Sequence, residues 1–201
     1  MSQSDRDKWN LRYREGAYAT RKRPSVILAN WLARLAVGRT EPRAIDLACG
    51  IGRNALFLAR QGWRVSAVDV SEVALERLAA TAGDEHLPIT CVQKDLEELE
   101  DGIADLIDQG PYDLATIIRY ANLPLIGALG PALRSGGYLI AEAHLVTDQP
   151  VAGPGNSCFR LAPGELSKAA AGLEIIACDE GIIDDPDGRQ VALAQLVARK
   201  P

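Results

Sequence analysis

Apolar and polar positions change period several times along the chain, and each change marks an element. Ala44-Ile45-Asp46-Leu47 is a short apolar run broken by one acid, which reads as a buried strand. A tight glycine turn follows, Cys49-Gly50-Ile51-Gly52. From Asn54 to Arg60, Ala55, Leu56, Leu58 and Ala59 recur at helical spacing until Gly62 stops them. Arg64 to Val68 is a second strand, ending on Asp69. Strand, glycine turn, helix, strand and terminal acid make one right-handed βαβ unit, which feeds a parallel sheet.

Upstream, Lys8 to Glu15 fits a short helix with Trp9, Arg12 and Tyr13 on one face, broken by Arg21-Lys22-Arg23-Pro24. Ser25 to Val37 is an amphipathic helix closed by Gly38. Downstream, Ser71 caps a helix carrying Val73, Ala74, Leu75, Leu78 and Ala79. Pro88 to Gln93 is the third strand, a short helix ends over Leu106 to Gly110, and Glu97 to Glu100 is an acidic, solvated loop. Leu114 to Ile118 is an unbroken apolar run suited to a central parallel strand. A helix over Leu125 to Leu133 leads into a fifth strand, Tyr138 to Ala143. After a helix over Glu165 to Ala171, Leu173 to Cys178 and Val191 to Ala198 are two strands joined by the polar turn Asp184-Asp185-Pro186-Asp187-Gly188, an antiparallel hairpin. Residues 147–164 form a Pro/Gly-rich insertion without periodicity, and Phe159 and Leu161 are expected to pack it on the body as a lid.

The pattern predicts an α/β fold: a Rossmann-like, seven-stranded, mostly parallel sheet with helices on both faces and an antiparallel C-terminal strand. Two hundred and one residues suit one structural domain, divided into a helical cover over 1–42 and a main body over 43–201. No apolar run reaches transmembrane length and the N-terminus is polar, so a cytoplasmic protein without membrane contact is expected. Cys49, Cys91, Cys158 and Cys178 are widely spaced, which excludes a zinc motif and a disulfide framework, and no metal is expected. Residues 1–43 carry ten Lys/Arg against four Asp/Glu, and the rest carries twelve against twenty-three. Because aromatic residues interrupt the basic segment, docking over the acidic body or an anion-binding lid is expected rather than nucleic-acid binding.

Glycines in the turn let a ligand approach the backbone, and the acid about 20 residues further on is placed to accept from ribose hydroxyls. A nucleoside site follows, the competing reading being a tight turn that binds nothing. Gly50 to Ala55 also fits a dinucleotide fingerprint, so a nicotinamide-dependent oxidoreductase competes. Asp46 opposes it, since a carboxylate at the mouth of the turn repels a pyrophosphate and suits a ligand with cationic centres, such as S-adenosylmethionine.

AIDLACGIGRN resembles motif I of class I S-adenosylmethionine-dependent methyltransferases, with Ala48 where that pattern has a glycine, and VSAVDVS resembles motif II. LRSGGYLIAEAHL is similar to a further motif of the same family, and KWNLRYREGAY resembles the N-terminal cover of its small tellurite-resistance-type members. The resemblance implies a cofactor site of Asp46, Ala48, Cys49, Gly50, Gly52, Asn54, Asp69, Val70 and Arg119, with Asp95 accepting from the adenine amino group and Leu96 flanking the ring. It implies S-adenosylhomocysteine as product and Trp9 and Tyr13 as apolar cover, with Arg12 or Arg14 holding a carboxylate or an anionic substrate.

Arg119, Tyr120, Glu142 and His144 emerge at the carboxyl ends of strands, where ligands of open α/β sheets bind. Tyr120, Glu142 and His144 are the candidate general bases, and Tyr120 and Phe159 candidate acceptor contacts. The expected function is methyl transfer to a small nucleophile, an oxyanion of tellurium or selenium or a thiol, by a monomer or homodimer. A protein that holds the cofactor without turnover is the remaining alternative.

Overall fold

The structure, a computed structural model, describes residues 3–97, 105–106 and 109–201. Two helices come first, α1 (Gln3–Arg14) and α2 (Val26–Leu32). The βαβ unit follows as β1 (Arg43–Leu47), α3 (Arg53–Arg60) and β2 (Arg64–Asp69). Then come α4 (Glu72–Asp84), β3 (Ile89–Gln93), β4 (Tyr112–Ile118), α5 (Leu123–Ala128), β5 (Leu133–His144), α6 (Glu165–Ala169), β6 (Glu174–Asp184) and β7 (Gln190–Arg199). The strands form one sheet in the order β3-β2-β1-β4-β5-β7-β6. All neighbours through β5 pair in parallel, and β7 runs antiparallel to both β5 and β6. The strand order reverses between β1 and β4, which opens a crevice at their carboxyl ends.

Alternation along the strands sorts side chains to two faces. Ile45, Leu47, Ala115, Ile117, Leu139 and Ala141 share one buried cluster with Leu125 and Ile126 of α5 and Leu166 of α6. Ala44, Leu114, Tyr138, Ile140 and Val197 share the other with Ile27 and Leu28 of α2 and Ala55 and Leu58 of α3. Asp46, Thr116 and Glu142 occupy the same alternation as this second set, so polar groups mark that face near its carboxyl end. They sit in an otherwise apolar wall.

Several boundaries differ from expectation. Within the stretch read as a helical cover, Ile27 and Leu28 of α2 are buried against the sheet. α2 also stops at Leu32, well short of Val37. α5 begins two residues earlier than expected because the Asn122 side chain accepts from Leu125 N, at 2.9 Å, and caps it. It ends at Ala128, and Leu133 already belongs to β5. The acidic run after Glu97, and most of the short helix expected before Gly110, lie outside the described residues.

Candidate active site at the carboxyl ends of the strands

The glycine turn is held at both ends by backbone: Cys49 N donates to Val68 O and Gly52 N to Cys49 O, each at 3.0 Å. Ala48, Gly50 and Gly52 all adopt left-handed φ, at 53°, 56° and 81°. A Cβ on Gly52 would lie 2.2 Å from Leu78 of α4, so this glycine lets the start of α3 pack closely against the middle of α4. A Cβ on Gly50 would lie 2.7 Å from the Tyr13 hydroxyl of α1. Asp69, nearly buried, accepts from Gly50 N at 2.7 Å and from Ser71 N at 2.9 Å. It therefore clamps the turn to the start of α4. Burial raises its carboxyl above the usual range, and the amide bonds oppose that rise.

Asp46 is 1% exposed at the mouth of the turn. Thr116 Oγ1 donates to Asp46 Oδ1 at 2.7 Å, and Oδ2 is buried without a hydrogen-bond partner. Burial pushes its carboxyl up to about 6. An anion this poorly satisfied favours a positively charged neighbour and disfavours a pyrophosphate. This donor set fits the ammonium and sulfonium centres of S-adenosylmethionine.

At the adenine end expected from the resemblance, Lys94 N donates to Asp69 O, 3.0 Å, and Glu97 N to Asp95 Oδ1, 2.9 Å. Leu96 is buried, and Asn122 Nδ2 holds its carbonyl at 3.1 Å. Val70 is half-buried beside Asp69. Asn54 has a different task from the one expected. Its side-chain oxygen accepts from Ser25 N at 2.9 Å and joins α3 to the entrance of α2.

On the acceptor side, Arg119 follows β4 with φ 63°, and its amide donates to Glu142 O at 2.6 Å. Its Nε pairs with Glu142 Oε1, and its Nη2 with Asp185 Oδ1 at 3.0 Å, while Nη1 is buried without a hydrogen-bond partner. Gln195 Nε2 donates to the second Glu142 oxygen at 2.7 Å. Glu142, expected as a general base, thus has both oxygens occupied and serves as an anchor. Tyr120, a second candidate base, donates its hydroxyl to Glu97 at 2.5 Å. Burial and that bond raise its pKa far above neutrality, so it is a donor at working pH. His144 is lowered to about 4, first by burial and then by Arg119, Arg160 and Arg21. It is neutral, and its Nδ1 is buried without a hydrogen-bond partner.

Two segments close over these strand ends. Tyr13 is buried against the glycine turn, and its ring stacks on Trp9 at 5.9 Å between centroids. Ser71 Oγ donates to Asn10 Oδ1 at 2.7 Å, which docks α1 on the start of α4. Arg12 lies over Trp9, 4.9 Å from its centroid, and Arg14 is exposed. The 147–164 insertion folds back on the body through one of the two residues expected to pack it. Leu161 is buried and donates to His144 O at 2.7 Å, whereas Phe159 is 55% exposed. A Cβ on Gly153 would lie 2.9 Å from His144 Nδ1, so the insertion covers that imidazole.

Thr116, Gln195, Asp185, Arg21 and Arg53 carry this site without having been singled out in the sequence. Thr116 and Gln195 had a usable signal, a lone polar residue inside an apolar strand. Arg53 had none, because a basic residue at a helix start reads as surface. Among the described residues, no group of three or more His, Cys, Asp or Glu could hold a metal ion, and no helix is long and apolar enough to cross a membrane.

Comparison with known proteins agrees with this geometry. A family profile described as a methyltransferase domain matches residues 44–127. The chain is 30% identical over 171 residues to "Hemagglutinin 1" of Eikenella corrodens, covering 79% of this chain and 55% of that protein. It is 25% identical over 169 residues to the "Probable S-adenosyl-L-methionine-dependent methyltransferase TehB" of Haemophilus influenzae, covering 79% and 57%. The chain thus spans a little over half the length of these two relatives. The crystal structure of TehB from Haemophilus influenzae superposes with a TM-score of 0.70 at 24% identity, covering 92% of this chain and 66% of that one. A glycine turn between two buried acids and a sheet ending in a reversed strand accord with these findings: residues 44–127 match a methyltransferase domain, and the whole sheet shares the fold of TehB.

Proposed function

We propose that this protein transfers a methyl group from S-adenosylmethionine to a small nucleophile, an oxyanion of tellurium or selenium or a thiol, in a reducing cytoplasm. The observation that carries the reading is Asp46, a buried carboxylate with one unpartnered oxygen at the mouth of a glycine turn. The printed name of the Haemophilus influenzae relative supports the cofactor, and the four free cysteines suit the compartment.

When bound, S-adenosylmethionine supplies an electrophilic methyl on a sulfonium. The chain's part is to hold, align and cover. Asp46 attracts the cationic end, and Gly50 and Gly52 keep the turn free of side chains. Asp69 fixes the turn and keeps lone pairs for ribose hydroxyls. Tyr13 and the insertion exclude water, and alignment of two bound reactants contributes about 7–11 kcal/mol to such a transfer. Neutral His144 offers a lone pair to any hydrogen the acceptor carries, while Tyr120 keeps its proton directed at Glu97. With Glu142 committed to Arg119 and Gln195, and His144 too weakly basic to take a proton, the acceptor arrives as an anion.

The test is calorimetric titration of S-adenosylmethionine, followed by a screen for S-adenosylhomocysteine release with selenite, tellurite and small thiols. Micromolar binding with acceptor-dependent release is the expected result. Tight NADH binding with none for S-adenosylmethionine would overturn the reading, and binding without release from any acceptor would leave a cofactor-holding protein.

A further inference from the structure

The turn between β6 and β7 is exposed from Pro186 to Gln190, yet Asp185 within it is 5% exposed. Burying a carboxylate there requires a partner, and Arg119 Nη2 at 3.0 Å is that partner. The turn is shaped for the contact: Asp185 N donates to Arg189 O at 2.9 Å and Gly188 N to Asp185 O at 2.8 Å. β7 pairs with β5 only as far as Leu193 opposite His144, so the hairpin beyond that point overhangs the carboxyl ends of the strands. The same turn reaches the N-terminal cover through Arg21 and Asp187 at 3.2 Å, and the insertion through Ala152 N and Gln190 O at 2.8 Å.

Arg119 is costly twice. Its left-handed backbone is strained for a residue with a Cβ. Its buried Nη1 lacks a hydrogen-bond partner, so its desolvation goes uncompensated. Such costs concentrate where a ligand relieves them. The charges point the same way. Arg53 faces Arg119, Glu142 and Asp185, while Arg160, held by neutral carbonyls, Pro154 O at 2.9 Å and Leu145 O at 2.8 Å, faces His144. His144 adds no charge at neutral pH. Several arginines thus gather where one buried guanidinium nitrogen has no partner.

We propose that Asp185 is a positioning residue: it turns the Arg119 fork so that the unpartnered Nη1 edge, with Arg53 beside it, forms a receptor for a negatively charged methyl acceptor. The β6–β7 turn is then a specificity-determining element of the acceptor site. The proposal rests on the methyl-transfer reading above and adds to it the charge of the acceptor and the device that selects it.

The experiment uses the full chain saturated with S-adenosylhomocysteine. Sodium selenite, thioglycolate and formate are titrated calorimetrically into wild type, Asp185→Asn and Asp185→Glu, with neutral 2-mercaptoethanol as the control and melting curves alongside. Wild type is expected to bind at least one anion and not the control. Asp185→Asn should weaken that anion tenfold or more, keep S-adenosylhomocysteine affinity within twofold, and raise KM for an anionic acceptor more than it lowers kcat. Asp185→Glu should restore part of the loss. Should Asp185→Asn not fold, Arg119→Lys, which keeps the charge and loses the fork, is expected to show the same tenfold loss. Anion affinity within twofold of wild type in these variants overturns the proposal. So does equal loss of anion and S-adenosylhomocysteine, or a wild type that binds S-adenosylhomocysteine but none of the anions. A wild type that cannot bind S-adenosylhomocysteine removes the methyl-transfer reading and this one with it.

Discussion

At Ala48 a methyl group sits on a backbone that only glycine adopts without strain, φ 53°. The sequence pattern calls for glycine there, and the physical demand is this turn of the backbone more than ligand approach. Ala48→Gly should therefore stabilise the fold by about 1 kcal/mol in urea unfolding, the strain relief outweighing the added freedom of the unfolded chain. Asp46 makes a pH-dependent prediction. Its carboxyl is raised by burial to about 6, so the folded state holds this proton more tightly than the unfolded chain does. Through this group the fold gains stability as pH falls from about 6 towards 4, while a cationic ligand gains from the ionised form above 6. Affinity for S-adenosylmethionine should drop about tenfold from pH 7 to pH 5, and that of S-adenosylhomocysteine, which lacks the sulfonium, by less. Equal drops in paired titrations would remove Asp46 as the electrostatic selector. Asp46 and Asp69 were legible in the sequence because an acid ending a short apolar strand has few structural excuses. Asp185 was not, because Asp-Asp-Pro-Asp-Gly is fully explained as turn chemistry, and nothing local tells which of its acids is buried.

Among the elements, α1 shows how far patterning reaches. A helix with Trp9 and Tyr13 on one face was readable, and so was its role as a cover. The structure adds that the helix is docked, through Asn10 with Ser71 and Tyr13 against Gly50, contacts between segments some 60 and 40 residues apart that no local period encodes. Tyr13 belongs to neither sheet-face cluster, so the core does not depend on it. Removing residues 1–20 should leave a cooperative unfolding transition while weakening cofactor binding and nearly abolishing turnover. Nicking between Tyr18 and Arg23 should slow when S-adenosylhomocysteine is added. Unchanged turnover by the truncated protein would reduce α1 to a docked tail. The strands were the most legible elements, since buried parallel strands read as apolar runs whatever surrounds them. Helix ends were the least, because Asn122 caps α5 through a side chain whose target lies three residues on.

At the scale of the whole molecule, the sheet separates two apolar clusters, and polar groups breach only one of them, around Asp46, Thr116 and Glu142. The charge imbalance along the chain, a basic first fifth on an acidic remainder, resolves into contacts such as Arg21 with Asp187. That pair is partly exposed, worth up to about 1 kcal/mol, and is weakened by salt. The cover is thus fastened twice, at α4 by Asn10 and at the β6–β7 turn by Arg21, and Tyr13 lies across the glycine turn between the two fastenings. The consequence is a matter of timing. On the methyl-transfer reading, whatever lies beneath Tyr13 leaves only after the cover lifts, so the expected order is cofactor first, acceptor second and spent cofactor last. In rapid-mixing experiments the first turnover should appear as a burst, followed by a slower steady rate that quickens when salt loosens the Arg21 fastening.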